Sequence, residues 1–155
     1  MSVLAVIRPD DWNLALFVHV LGAFTLIGAL VAAASYLFAA RRDGSLQLTR
    51  AGFRSLLIVA LPAYLATRIG GQWIASKENL DDSDVAWITV GFISTDIGLL
   101  VLLGATIAAG LAVRRAGRAG GPGEGGAGAT LAAWLVSLLV AVYAVVTWMM
   151  ATKPV

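Results

Sequence analysis

The sequence predicts an all-α protein, a four-helix transmembrane bundle with both termini on the non-cytoplasmic side. Three observations lead there. Of its 155 residues, 59% are hydrophobic and only 13% are charged, where a soluble domain carries about 25% charged residues. Four stretches, 12–40, 55–75, 85–113 and 130–151, are apolar over the roughly 20 residues a bilayer crossing needs. The charged residues between them alternate in sign from one connection to the next. One integral membrane domain, 1–155, accounts for the whole length.

The first stretch, 12–40, reads as a span and not as a cleaved signal. Arg8-Pro9-Asp10-Asp11 precedes it, and its apolar run far exceeds the roughly 7–15 residues of a signal peptide's core. Small and polar residues recur along it at spacings of three and four: Ala15, His19, Gly22, Thr25, Ala29, Ala32 and Tyr36. In lipid, helices associate through small residues that allow close approach and through polar side chains. That stripe is the expected seam, and it carries His19, the single histidine of the chain.

The connection that follows, RRDGSLQLTRAGFR, sets Arg41, Arg42, Arg50 and Arg54 against Asp43 and reads as a basic loop. The second span, 55–75, contains Pro62, which removes a backbone donor and is expected to kink the helix. Beyond it runs a polar face of Tyr64, Thr67, Arg68, Gly71 and Gln72. The next connection, SKENLDDSD, is acidic, and Asp82 or Ser83 is the expected N-cap of the third helix. A calcium site there lacks the spaced oxygen ligands and turn glycine such loops use.

The third span, 85–113, places Thr89 and Asp96 seven residues apart and therefore on one face. The short acidic loop makes it the antiparallel neighbour of the second. RRAGRAGGPGEGGAGA then forms a basic, glycine-rich linker. The fourth span, 130–151, shows Thr130, Trp134, Ser137, Ala141, Ala144 and Trp148 at helical spacing as its expected seam.

Arginine and lysine mark the cytoplasmic side. Both basic connections therefore lie inside, and the termini and the acidic connection outside. Tryptophan, which favours the headgroup level, agrees: Trp12, Trp73, Trp87 and Trp148 fall at the outer ends, and Trp134 at the inner one. Such a protein belongs in a cytoplasmic membrane, and the Ala/Gly/Arg-rich usage fits a bacterial source. Its expected partners are the lipid bilayer and either further copies of itself or the other subunits of a membrane complex. The net charge of +2 gives no electrostatic reason to expect nucleic acid.

Three ionisable residues lie inside spans. At 1.5 Å per residue, His19 is roughly 10 Å in from Trp12, Arg68 about 8 Å from Trp73 and Asp96 about 13 Å from Trp87. An intramembrane charge costs about 2.5–3.5 kcal/mol even on the lenient insertion scale, so Arg68 and Asp96 are expected to pair. With Thr67 and Gln72 they form, beside His19, a candidate polar cluster in the outer half of the membrane. Packing, a titrating site on a proton or solute path in a small oligomeric transporter or channel, and haem b ligation for electron transfer all remain open for His19. Met149 or Met150 is a conceivable second axial ligand. There is no cysteine, hence no thiolate metal site, and no hydrolytic triad or HExxH pattern. A role other than an enzyme's is expected.

The segment LFVHVLGAFTLIGALVAA, residues 16–33, resembles the first helix of small bacterial four-span proteins described only as predicted integral membrane proteins. There a His-Val-Leu pattern opens the span and a glycine follows about nine residues on, here Gly28. The opening is also similar to that of the copper-resistance D type and of the haem-dependent protoporphyrinogen oxidase of the four-helix membrane type. The oxidase's lysine-bearing second motif has no counterpart within a span here, and the copper family's Met/His-rich surface is absent. The resemblance implies a four-span membrane protein in which His19 is the one position carried over.

Overall fold

The computed structural model describes residues 13–77, 86–119 and 126–152. They form five α-helices: α1 (Asn13–Asp43), α2 (Leu46–Arg54), α3 (Leu61–Lys77), α4 (Ala86–Ala119) and α5 (Gly126–Thr152), with a π-helical turn, Ser55–Ala60, joining α2 to α3. Four continuous helical segments, Asn13–Asp43, Leu46–Lys77, Thr89–Arg118 and Gly126–Thr152, are long and apolar enough to cross a membrane. The chain thus has the four helices of a multi-pass membrane protein. They run up and down, so α1 begins, α3 ends, α4 begins and α5 ends at one end of the bundle, here the terminal end. The opposite end carries Arg41, Arg42, Arg50, Arg54, Arg114, Arg115 and Arg118, and is here the arginine end. Trp73 and Trp148 lie toward the terminal end, as the sequence suggests. Trp12, the Trp87 side chain and most of the acidic connection, with its expected cap, fall outside the described residues.

The basic connection is not a loop. Only Gly44 and Ser45 separate α1 from α2. Gly44 takes φ 62°, the left-handed conformation that ends a helix without a Cβ penalty. The Ser45 side chain then accepts from the Leu48 N–H at 3.3 Å as the next N-cap. The second span therefore starts nine residues earlier than hydropathy suggests. α2 wedges between α1 and α4.

Where a kink was expected at Pro62, the helix carries a π-helical turn just before the proline. Proline has no N–H and its ring crowds the carbonyl four residues back. The preceding turn widens instead, and the Leu61 N–H reaches Leu56 O, five residues back. Ser55, in that turn, donates its hydroxyl to Ala29 O on α1 at 2.9 Å. Ser55→Ala should cost about 0.6 kcal/mol, the average for such interhelical bonds in membranes, read as reduced resistance to unfolding in detergent. Past the turn α3 leans on α1 and barely touches α4. The second and third spans are therefore close neighbours at the arginine end and splay apart at the terminal end.

The core corrects both expected seams. On α1 it is Ala15, Gly22, Leu26, Ala29, Leu30, Ala33, Leu37 and Ala40. Ala15, Gly22 and Ala29 were anticipated, whereas Thr25 and Tyr36 are exposed. Leu26, Leu30 and Leu37 fill the centre together with Ala29 and Ala33. On α5 the buried set is Ala129, Ala132, Ala133, Val136, Leu139 and Tyr143, while Trp134, Ala141, Ala144 and Trp148 are exposed. The hydroxyls that suggested the other face need no neighbour: Thr130 donates to Gly126 O and Ser137 to Ala133 O within the helix. Trp134 instead meets Phe38 edge-on at 5.5 Å and 87°. The outer surface is broadly apolar, with Phe17, Phe24, Ile58, Ile69, Leu100 and Ile107 among the exposed side chains. A soluble monomer rarely carries so large an apolar surface.

Candidate functional site

The polar residues of the spans gather in the terminal half of the bundle, and they divide into two groups on different sides of α3. The first is centred on His19. Its Nδ1 lies 2.8 Å from Thr67 O. A carbonyl oxygen only accepts, so Nδ1 is the protonated nitrogen and in the neutral ring Nε2 keeps its lone pair.

The contact requires α1 and α3 to run almost backbone to backbone, and glycine on both helices makes room. A Cβ on Gly70 would stand 2.7 Å from the His19 nitrogen and 2.9 Å from its Cα; one on Gly71 would stand 3.1 Å from Nδ1. Conversely, a Cβ on Gly22 would stand 2.8 Å from the Thr67 nitrogen and 2.7 Å from its Oγ1. The sequence pair Gly70-Gly71 is thus a notch into which His19 fits.

The second group straddles the gap between α3 and α4. Arg68 Nε lies 3.3 Å from Asp96 Oδ1, as expected from their similar depth. Arg68 also donates from a terminal guanidinium nitrogen to Gln72 Oε1 at 2.8 Å, and stands 5.0 Å from the centre of the Phe92 ring, within cation–π range. One turn deeper, Tyr64 Oη donates to Thr95 O at 3.3 Å. These contacts bridge the two helices where they have splayed apart. Among the described residues, His19 makes its polar contact with Thr67 and none with Arg68 or Asp96. Thr67 and Arg68, adjacent in sequence, point about 100° apart on the helix. That rotation separates the groups.

Behind the bridge, among α1, α3, α4 and α5, is a cleft of about 80 Å³ lined by His19, Tyr64, Thr67, Thr95, Tyr143 and Met150 with several aliphatic side chains. Tyr143 and Thr95 are residues the sequence did not single out. The available signal was a tyrosine in the middle of an otherwise aliphatic span, Val140-Ala141-Val142-Tyr143-Ala144-Val145. Its hydroxyl is buried without a hydrogen-bond partner and occupies the space beside Gly98 that a Cβ would fill. Met150 shares the cleft with His19. No group of three or more His, Cys, Asp or Glu side chains able to hold a metal ion occurs among the described residues.

No family model, no curated protein and no solved structure matches the chain.

Proposed function

We propose that the chain is a multi-pass protein of the bacterial cytoplasmic membrane, with its arginine end inside and both termini outside. On this reading it works as a self-associating membrane subunit rather than as an enzyme. Seven arginines at one end of the bundle support the orientation through the positive-inside rule. The observation that carries self-association is the exposure of the ion pair. The Asp96 side chain is 63% exposed, on a flank where Leu65, Ile69, Ile93, Ile97 and Leu100 are exposed as well. Ionisable residues inside membranes face a bundle interior or a water-filled cavity, and the described residues of a single copy give Asp96 neither.

A second copy supplies the cover. In a two-fold interface the same patch meets itself. With Arg68 and Asp96 at similar depth on two adjacent helices, each guanidinium then also faces the other copy's carboxylate. Any translocation path of a small oligomeric transporter or channel would lie between copies, since toward the arginine end the interior of one is packed with leucine and alanine.

The chain has no cysteine, which makes the test direct. Ile97→Cys, reconstituted in lipid, should cross-link as a dimer under mild oxidation. Phe24→Cys, on the exposed face of α1, should not. Native mass spectrometry from nanodiscs should give two or more copies. A monomer with uncross-linked Ile97→Cys overturns the proposal.

A further inference from the structure

We infer that the groove between α2 and α4 at the arginine end holds one phospholipid of net negative charge, its acyl chain along α4 and its phosphate on Arg114. This rests on the chain's crossing a membrane, as proposed above, and not on its self-association.

The groove, of about 450 Å³, is lined by α4 and by Phe53 of α2. From Thr106 to Arg114 its α4 residues cover about 12 Å at 1.5 Å per residue. Gly110, midway, gives it depth: a Cβ there would stand 3.1 Å from the Phe53 ring. Ile107, Leu111 and Val113 make the wall apolar. The Thr106 hydroxyl is already spent, donating to Leu102 O at 2.7 Å. The polar side chain left on the groove is Arg114, at its end. An apolar trough that ends on a cation matches an acyl chain that ends on a phosphate.

Charge selects the headgroup. α2 and α4 run antiparallel with Phe53 beside Gly110. Arg50, three residues before Phe53, and Arg114, four after Gly110, therefore come to nearly the same height. Both are exposed, and among the described residues neither pairs with a carboxylate. Asp43 is the one acidic residue among those described at this end, against seven arginines. A guanidinium offers a planar fork of donors that fits phosphate oxygens. A headgroup with its own ammonium would add a cation to two that already lack a counter-charge, and phosphatidylglycerol adds none. Basic pockets between spans take acidic headgroups on the same grounds.

The test counts bound lipid. Protein reconstituted in nanodiscs of equal parts phosphatidylglycerol and phosphatidylcholine, then released into detergent, should keep one phosphatidylglycerol per copy in native mass spectra. Counting per copy separates this result from self-association, whose failure would leave it unchanged. Arg114→Gln should weaken retention about fivefold, the worth of one arginine beside anionic lipid. Arg50→Gln with Arg114→Gln should weaken it about 25-fold. Arg41→Gln, on α1 at the same end, should leave it unchanged. Gly110→Leu fills the groove, keeps both arginines and should abolish retention. Gly104→Leu, with nothing within 4 Å of its Cβ position, should not. Helical circular dichroism checks that each variant folds, and if Gly110→Leu does not, the arginine variants still decide. Glycerol 3-phosphate, a headgroup without chains, should not displace the lipid. Four results would overturn the inference: no retained lipid, equal retention of both lipids, equal losses from Arg41→Gln and Arg114→Gln, or displacement by glycerol 3-phosphate. The second would mean ordinary lipid contact, the third general surface charge, and the fourth a phosphate site alone.

Discussion

Gly70→Val should abolish the folded bundle or bring it close to unfolding. The added Cβ would stand 2.7 Å from the His19 nitrogen and 2.9 Å from its Cα, and neither is the end of a side chain that can swing away. Relief requires α1 and α3 to separate. That separation breaks the His19–Thr67 bond and opens the interface at Gly22, where Thr67 is equally close. Overpacking a core costs about 1–3 kcal/mol even where side chains can adjust; with backbone on both sides the upper end, about 3 kcal/mol or more, is the expectation. Gly28→Val is the control. It sits on α1 with nothing within 4 Å of its Cβ position and should change stability by less than about 0.5 kcal/mol. Thermal unfolding in one detergent, followed by helical circular dichroism, separates the two. Equal loss in both would mean that the notch is not what is being read, since by helix propensity alone valine should gain over glycine.

Asp96→Asn has the second large effect. It leaves the Arg68 guanidinium with Gln72 and the Phe92 ring and without a counter-charge in an apolar surrounding. The insertion cost of one uncompensated charge sets the scale, about 2.5–3.5 kcal/mol. Replacing both partners, Arg68→Gln with Asp96→Asn, removes the charges together and should restore most of the loss, since breaking a pair costs more than deleting it. The comparison is a double-mutant cycle on unfolding free energy. A double variant as unstable as the sum of the singles would show that the two side chains do not act as a pair. High salt should change little, because screening acts weakly on groups away from water.

How much of this was legible follows from which physical signal each feature leaves. Span existence rests on hydropathy, and all four helices were found. The Arg68–Asp96 contact was also legible, since two charges at similar depth in lipid have strong reason to meet. Rotation about a helix axis leaves a weaker trace. The seam of α5 was read from Thr130 and Ser137, whose hydroxyls turn out to be satisfied within their own helix, so they said nothing about a neighbour. His19 was grouped with Arg68 by depth, and the angle between Thr67 and Arg68 placed them apart. α2 was missed although Gly44-Ser45 is a legible helix stop and start, because the arginines around it suggested a solvated loop. Tyr143 was missed because one hydroxyl among aliphatic residues changes hydropathy little. Its environment is set by Gly98 and Met150, residues distant in sequence.

The interhelical hydrogen bonds described above share one partner. Ser55 reaches Ala29, His19 reaches Thr67, and Tyr64 reaches Thr95; each has the second span on one side. That helix is indexed like a key, with fixed positions along α1 and α4, and sliding it by one residue would forfeit directional bonds on two neighbours at once. α5 is seated against α1 and α4 by the contours of alanine, valine and leucine, a surface that changes gradually along its length. Substitutions in the two helices should therefore differ in kind. On the second span they should act as steps, with register kept or lost, and on α5 they should be absorbed as small, graded shifts in seating.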